Sequence, residues 1–575
     1  MVGDRTVTRS KADFVLTLHS HLPYVLNHGR WPHGSDWLCE AALDTYLPLL
    51  EVLHQLGDES VPAPVTIGIT PVLANQLASP EFVKEMEAFF EQRLATCAEA
   101  PASLSKTGDG ALLPLVEFWR ERFLRLRRRF HEAGGDLVGA FRALEAAGRL
   151  EIIGSAATHG FLPLLARDES IRLQLAVGTA EHRRLFGRAP VGCWLPECAY
   201  RPRGPWEPWP TAPRSGVRRG IEEHLADAGF RYFFVDSHLA EAGRTLGLSG
   251  DPNGDPSLQV VLDNPEAEAP RRSPYQAYRI AHTRGTANIS AFVRDPRASM
   301  QVWSRWQGYP GDEAYLEFHK IRWPGGLKFW KVTGAGVDLG AKVAYDPATA
   351  LGRARGHADH FASILGGIAT SDEPPRIKVI VAPFDTELFG HWWFEGADFL
   401  GATFLALARG TGDVQPITAS RHLAQHPPRS GIRLPAGSWG ANGDFSMWLN
   451  DQTAWTWERL WPLEASFWDA APRALASPGA RIVLEQATRE LLLAQSSDWQ
   501  FIISTGAAAD YAEGRFTEHC EDAEALIAAL LDGSEDALGP ARRRAEVLAK
   551  RDHLFPDVIP AVAAALGGSR SLTFG

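Results

Sequence analysis

Two acidic residues stand in stretches that look built to present them. Glu197 lies in WLPECAY (194–200) and Asp385 in APFDTELFGHWWFEG (382–396), each directly after a short apolar run. A carboxylate at the end of a buried strand, hemmed in by aromatics and a proline, is costly to desolvate, so a chain with two such sites is expected to use them as a pair. Glycosidic bonds are cut by such pairs: one carboxyl attacks the anomeric carbon while the other protonates the leaving oxygen, about 5–5.5 Å away when configuration is retained. The negative charge of one, together with burial against Phe384 and Trp392, raises the pKa of the other and keeps it protonated at neutral pH. The plainer reading makes each carboxylate a cap for the helix that follows it. Residue types alone do not say which of the two is the acid.

A second chemistry is written into His19-Ser20-His21. A His-x-His at the end of a first barrel strand can bind a catalytic metal, with His159 and Asp385 as further ligands, and would give a metal-dependent hydrolase. The tryptophans argue for a sugar instead. There are 19, many of them clustered: Trp303, Trp392 and Trp393, Trp439, Trp448, Trp455 and Trp457. Indoles stack on the apolar faces of sugar rings while their N–H groups donate hydrogen bonds. Core packing accounts for most single tryptophans, but Trp439 and Trp448 lie in loop-like sequence. A non-catalytic glucan-binding protein would keep the tryptophans and lack the acid–base pair.

Short β-rich runs recur at 14–18, 65–70, 150–153, 191–195, 232–235, 288–293 and 378–382, most of them continuously apolar. Strands covered on both faces by helices read this way, and stretches such as 44–56, 80–94, 170–186 and 347–365 supply helices between them. The pattern predicts a parallel β/α barrel, whose chemistry belongs at the C-terminal ends of its strands. His19 and His21, Thr70 and Asn75, His159, Glu197, Asp236 and His238, Arg294 and Asp295, and Asp385 follow the seven runs in turn. Three inserts read as long loops over that rim: 97–111 is small and polar, 203–216 is rich in Pro and Trp, and 241–273 is full of Gly, Asp and Pro, a lid by composition. Past about residue 408 a Pro- and Gly-rich stretch gives way to helical periods, with Val483, Ala487, Leu491 and Ala494 on one stripe.

The chain of 575 residues is 45% hydrophobic, 22% charged and carries a net charge of −11 with 5 cysteines. The acidic balance argues against a nucleic-acid partner, which needs a concentrated basic surface. The crowd of arginines at 120, 122, 125, 127, 128 and 129 reads as a solvated helix face. No apolar window is long enough to span a bilayer, so no membrane partner is expected. The polar start lacks the layout of a signal peptide, and the scattered cysteines read as buried reduced thiols, which together point to the cytoplasm.

Five segments carry a family resemblance: 19–24, 154–165 (GSAATHGFLPLL), 194–200, 382–396 and 496–501 (SSDWQF). They resemble the five signature regions of glycoside hydrolase family 57, with the nearest likeness to its 1,4-α-glucan branching enzymes, and the agreement extends through 29–37, 301–312 and 505–519. The resemblance implies a (β/α)7 barrel with an inserted subdomain and a C-terminal α-helical domain. That divides the chain into a catalytic barrel over 10–408, with the insert at about 97–140 and a lid loop at about 241–275, a helical domain over 409–566 that completes a glucan groove, and a disordered tail at 567–575. It further implies Glu197 as nucleophile and Asp385 as general acid/base, with His19, His21 and His159 binding sugar hydroxyls. Trp37, Trp303, Trp439 and Trp448 are then glucan platforms, and Asp498 comes from the helical domain. No metal or cofactor is implied, and the partner is an α-1,4-glucan as donor and acceptor, made into α-1,6 branches. Hydrolysis and 4-α-glucan transfer differ only in the acceptor. In the branching enzymes a loop after the fifth strand carries a tyrosine over the active site. The corresponding stretch 241–273 holds none, and Tyr275 and Tyr278 lie just beyond it.

Overall fold

The computed structural model describes residues 10–213, 216–249, 260–262, 272–282, 285–304, 307–323, 325–334 and 336–567. Seven strands form its centre: β1 (Ala12–Ser20), β2 (Val65–Ile69), β3 (Leu150–Ser155), β4 (Gly192–Trp194), β5 (Tyr232–Val235), β6 (Gly285–Val293) and β7 (Lys378–Asp385). They pair in parallel in the spatial order β7-β1-β2-β3-β4-β5-β6. A parallel bridge between Arg294 and Val381 closes the ring. The result is a (β/α)7 barrel, in agreement with the reading of the seven apolar runs.

Strand periodicity sorts each side chain into one of two cores, because successive residues point to opposite faces. Phe14, Leu16 and Leu18 of β1 face outward into the larger core shared with the helices. Val15 faces inward, with Ile153, Trp194, Tyr232, Phe234, Phe292, Val379 and Val381 from the other strands, and this set fills the barrel. Continuing each inward register toward the strand ends leads to Thr17 and His19 on β1, Asp385 on β7, Arg294 beyond β6 and Asp236 beyond β5. Apolar packing below and chemistry above are thus written in one alternation.

The surrounding helices follow ordinary rules. Asp168–Phe186 opens with Asp168 and Glu169, closes with Arg183 and Arg184, and stops at Gly187 with φ +80°, so both ends complement the helix dipole and glycine takes the left-handed position. The stretch 97–111, expected as a loop, belongs for most of its length to the helix Pro80–Thr107. Cys97, Ala100 and Leu104 form a buried stripe at helical spacing there, and this burial outweighs the polar composition and Pro101. It pairs with the helix Leu113–Glu132, where Arg122 is buried with its guanidinium over Phe394 at 4.4 Å, while Arg120, Arg127 and Arg129 pair with glutamates. The five cysteines are buried and unpaired.

The segment expected to act as a lid includes strands Arg244–Ser249 and Val260–Leu262, paired antiparallel; 250–259 and 263–271 lie outside the described residues, as does the expected tail from 568 on. The composition change near 409 does not coincide with a change of architecture. Val414–Pro416 pairs with the start of β1, and Ile417 and Ala419 plug the floor of the barrel. Ser430–Arg433 joins the extended sheet through Tyr278–His282. Six helices then run from Ala454 to Gly567, and among the described residues no helix is long and apolar enough to cross a membrane.

The floor plug hangs on a buried pair: Asp13 Oδ2 lies 2.7 Å from His422 Nδ1, with each side chain 4% exposed. Replacing His422 by Ala strips Asp13 of its close partner in a sealed site. We expect a loss on the order of 2 kcal/mol, read as a lowered Tm in calorimetry with the pH–activity profile unchanged.

Candidate active site

The open end of the barrel leads into a cavity of about 1250 Å³. Glu197, Asp385, His19, His21, Trp37, His159, Trp303, Trp439, Trp448 and Asp498 all line it. The residues named come from the barrel strand ends, the helix Ser35–Ala41 with Trp37, the helix Pro296–Trp303 with Trp303, the loop at 437–449, and the turn at 495–498 between the helices Arg481–Ala494 and Asp498–Thr505.

Glu197 sits on a strained turn. Its φ of 60° and the 47° of Cys198 lie in the left-handed region, as does the 58° of His159. Non-glycine residues hold such conformations at a cost of about 1–3 kcal/mol each, and only where surroundings over-determine them. Here the 437–439 segment does so, running antiparallel along the nucleophile turn. Tyr200 and Gly437 exchange backbone bonds of 2.8 and 3.0 Å, and Trp439 donates its N–H to the Glu197 carbonyl at 3.0 Å. The indole Nε1–H of Trp439 then donates to Glu197 Oε2 at 2.8 Å.

A directional chain reaches the other oxygen. His19 Nε2 lies 3.0 Å from His159 Nε2, His159 Nδ1 lies 2.9 Å from Ser497 Oγ, and Ser497 Oγ lies 3.5 Å from Glu197 Oε1. One assignment satisfies every link: His19 donates to His159, His159 donates to Ser497, and Ser497 donates to the carboxylate. Burial and mutual repulsion hold His19 and His159 well below the ordinary histidine range, so both are neutral as this requires. Beneath them, Trp194 stacks on His19 at 4.6 Å and forms the floor. His21 takes a hydrogen bond from Thr70 (3.0 Å) and donates from Nε2 to Asp498 (2.9 Å). Burial opposes the ionisation of Asp498, but His21 overcomes it and the carboxyl titrates at about 2.

The two central carboxyls therefore differ. Burial pushes Glu197 up, the Trp439 donor pulls it back, and the charges of Asp385 and Asp498 push again, for a pKa of about 7. Asp385 is pushed higher, to about 8, by burial and then by neighbouring Glu387, against the pull of Arg294. Among the described residues no hydrogen-bond donor meets the Asp385 carboxyl. The unequal surroundings suit Glu197 to the ionised role and Asp385 to the protonated one.

Sequence reasoning gave no role to Ser497, Glu387, Tyr46 or Arg294. Ser497 precedes Asp498 in SSDWQF, and Glu387 is two residues beyond Asp385, so proximity to a recognised carboxylate was the available signal. Glu387 Oε1 accepts hydrogen bonds from the Tyr46 hydroxyl and from the His21 backbone N–H (3.3 Å). Trp448, expected as a platform, is only 1% exposed and sits against Phe161 at 4.6 Å. Phe501, stacked beside it at 6.3 Å, is 42% exposed and presents the aromatic face. Trp31, Trp323 and Trp392 line the outer reaches, open to solvent. Trp392, expected to help bury Asp385, is one of these exposed rings. Tyr275 and Tyr278 are buried beside the sheet, and neither lines the cavity.

His21, His159 and Asp498 place ligand atoms within 4.8 Å of one another. Every one of the four ring nitrogens of these two histidines is already engaged by Thr70, Asp498, Ser497 or His19. A metal would have to break that set, so activity is expected to survive dialysis against EDTA, with metal content followed by mass spectrometry.

Trp439→Phe keeps the ring and removes the donor to Glu197. The donor lowers the pKa of Glu197, so its loss raises that pKa and moves the acidic limb of kcat/KM upward in pH. The accompanying fall in kcat/KM is expected at about 10- to 100-fold, the worth of one hydrogen bond to a charge. For the unaltered protein the two limbs of a bell-shaped profile are expected near pH 7 and 8.

Residues 15–435 match the sequence profile of glycosyl hydrolase family 57, and residues 465–562 match that of the 1,4-alpha-glucan branching enzyme C-terminal region. A 1,4-alpha-glucan branching enzyme of Thermococcus kodakarensis is 39% identical over 558 residues, covering 96% of this chain and 78% of that protein. The crystal structure of a branching enzyme of this type from Pyrococcus horikoshii superposes with a TM-score of 0.83 at 35% identity, covering 96% of this chain and 97% of the other. An alpha-amylase from Thermotoga maritima gives 0.75 at 29% identity, covering 96% and 99%.

Proposed function

The chain belongs to glycosyl hydrolase family 57, and from that premise we propose that it is a 1,4-α-glucan branching enzyme working by double displacement with retention. The observation that carries the mechanism is the pair of unlike carboxyls in one cavity: Glu197 meets two donors to its ionised form, and Asp385 meets none among the described residues. Glu197 attacks the anomeric carbon of an α-1,4-linked glucosyl unit, the C1–O4 bond breaks, and the Asp385 proton goes to the departing O4. The glucan segment is left as an ester on Glu197. Asp385, now a carboxylate, takes the proton of an acceptor 6-hydroxyl as that oxygen attacks C1 and expels Glu197, which forms the α-1,6 bond.

Asp498 accepts a hydrogen bond from a hydroxyl of the reacting sugar, while His21, His19 and His159, through the bonds they already make, hold Asp498 and Ser497 in place for it. Trp37, Trp303, Trp439 and Phe501 supply faces for the glucan on either side. The branching relatives and the similarity to the branching enzyme C-terminal profile favour the 6-hydroxyl as acceptor over water. The match to the amylase makes hydrolysis the outcome to measure against it.

Incubation with amylose should produce α-1,6 signals in proton NMR well in excess of newly released reducing ends. Reducing ends without branches would leave a hydrolase. Glu197→Gln is expected to lower kcat by at least about 1,000-fold while amylose still binds, since the nucleophile is lost and the aromatic faces are kept.

A further inference from the structure

Glu197 has its donors, but Asp385 must change its charge twice in each cycle, and no hydrogen bond within the described residues prepares it for that. The groups around it come from several elements. Glu387 stands on its own strand end, held by Tyr46; Glu197 faces it from β4, His19 is its register partner on β1, and Arg294 approaches from β6. Of these, Arg294 alone carries a fixed positive charge.

Its placement is set by the barrel. The Arg294 backbone bridges to Val381 and donates to the Val235 carbonyl at 2.9 Å. The next inward residue after Phe292, it extends into the cavity. There its Nη1 donates to Asp236 Oδ2 at 3.0 Å and its guanidinium lies 5.8 Å from the Trp439 ring centre. Asp236 is tied down in turn, its Oδ1 accepting from the Ser237 backbone (2.6 Å) and hydroxyl (3.1 Å), with His238 Nδ1 at 3.7 Å. The Nε of Arg294 is sealed from solvent and has no partner among the described residues. A sealed N–H with no acceptor is costly to keep, and this one belongs to a part-buried guanidinium that lines the same cavity as the two carboxyls.

We propose that Arg294, anchored by Asp236, is the positioning residue that lets Asp385 pass from acid to base between the two half-reactions. This rests on the double displacement above and adds the counter-charge that mechanism needs. In the first step Asp385 gives its proton to the leaving O4 and becomes an anion while Glu197 loses its charge to the ester. The new carboxylate sits partly buried in the cavity, where a nearby cation is worth more than in bulk solution. Arg294 holds it ionised until the acceptor hydroxyl arrives. The proton then moves from that hydroxyl to Asp385, and the starting state returns.

The test follows cleavage of α-1,4 bonds by loss of iodine-stained amylose, which does not depend on the acceptor, as a function of pH in Arg294→Lys, Arg294→Met and Asp236→Asn. A cation lowers the pKa of a neighbouring acid, so removing it raises that pKa, and the basic limb of kcat/KM should move upward by about one pH unit in Arg294→Met. Its kcat should fall on the order of 100-fold, with glycosyl-enzyme accumulating on Glu197 in intact-protein mass spectra because the second step is slowed. Arg294→Lys should recover part of both effects, and Asp236→Asn should shift the limb in the same direction. A basic limb unmoved in Arg294→Met while kcat falls would make Arg294 merely structural and overturn the proposal, as would an unchanged kcat in Arg294→Met. Failure of the function itself would show differently, as unaltered protein that leaves amylose uncut or forms no branches.

Discussion

A carboxylate buried at the mouth of a barrel must be compensated from somewhere, and for Glu197 the compensation comes from residues 242 and 300 positions further along the chain. Trp439 and Ser497 each give a hydrogen to one of its two oxygens. The rest of the site follows from that need. The 437–439 segment has to lie along the nucleophile turn to deliver the indole N–H, and its backbone bonds to Glu197 and Tyr200 hold the turn in a left-handed conformation it would otherwise leave. The turn after the helix Arg481–Ala494 has to dock on β3 to deliver Ser497. The His159 carbonyl receives the Ser497 N–H at 3.3 Å for that purpose, and Gly160 bridges to Ser496.

Charge is distributed with equal economy across the cavity. Asp498 is kept anionic by its contact with His21, and the other two histidines are kept neutral chiefly by burial, so that a chain of donors runs toward Glu197 through uncharged rings. Asp385 is treated in the opposite way, with Glu387 beside it raising its affinity for a proton and Arg294 limiting that rise. Two carboxyls in one cavity thus acquire different duties through their neighbours, without any difference in burial being required.

Much of this architecture is legible in the primary structure because strands covered on both faces are apolar throughout, and because a period of two carries a residue from the barrel interior to the rim on a fixed side. Val379, Val381 and Asp385 share one parity, and so do Val15 and His19, or Phe292 and Arg294. Other features were hidden from composition. Residues 97–107 read as a loop, yet a stripe of Cys97, Ala100 and Leu104 buries against neighbouring helices and extends Pro80–Thr107. The proline-rich passage after 409 reads as a linker, yet Val414–Pro416 finds an open position beside β1. Trp448, read as a platform, is buried, and Phe501, given no role by the sequence, is the exposed ring beside it, since exposure is decided by what packs on top and not by the residue's own segment.

The chain alone determined which residues are capable of the chemistry, the two carboxyls, the histidine pair and the tryptophans, and that the carboxyls and histidines stand at the ends of buried parallel strands. Hydrophobic pattern and local turn composition are short-range properties, and a strand end is a short-range fact. Folding in three dimensions decided which carboxyl is the easier to ionise, which aromatic ring meets the cavity, and that Arg294 rather than a histidine is the fixed positive charge near Asp385. Those outcomes depend on burial and on charges separated by hundreds of residues, so they come into existence only when distant segments share the same few ångströms.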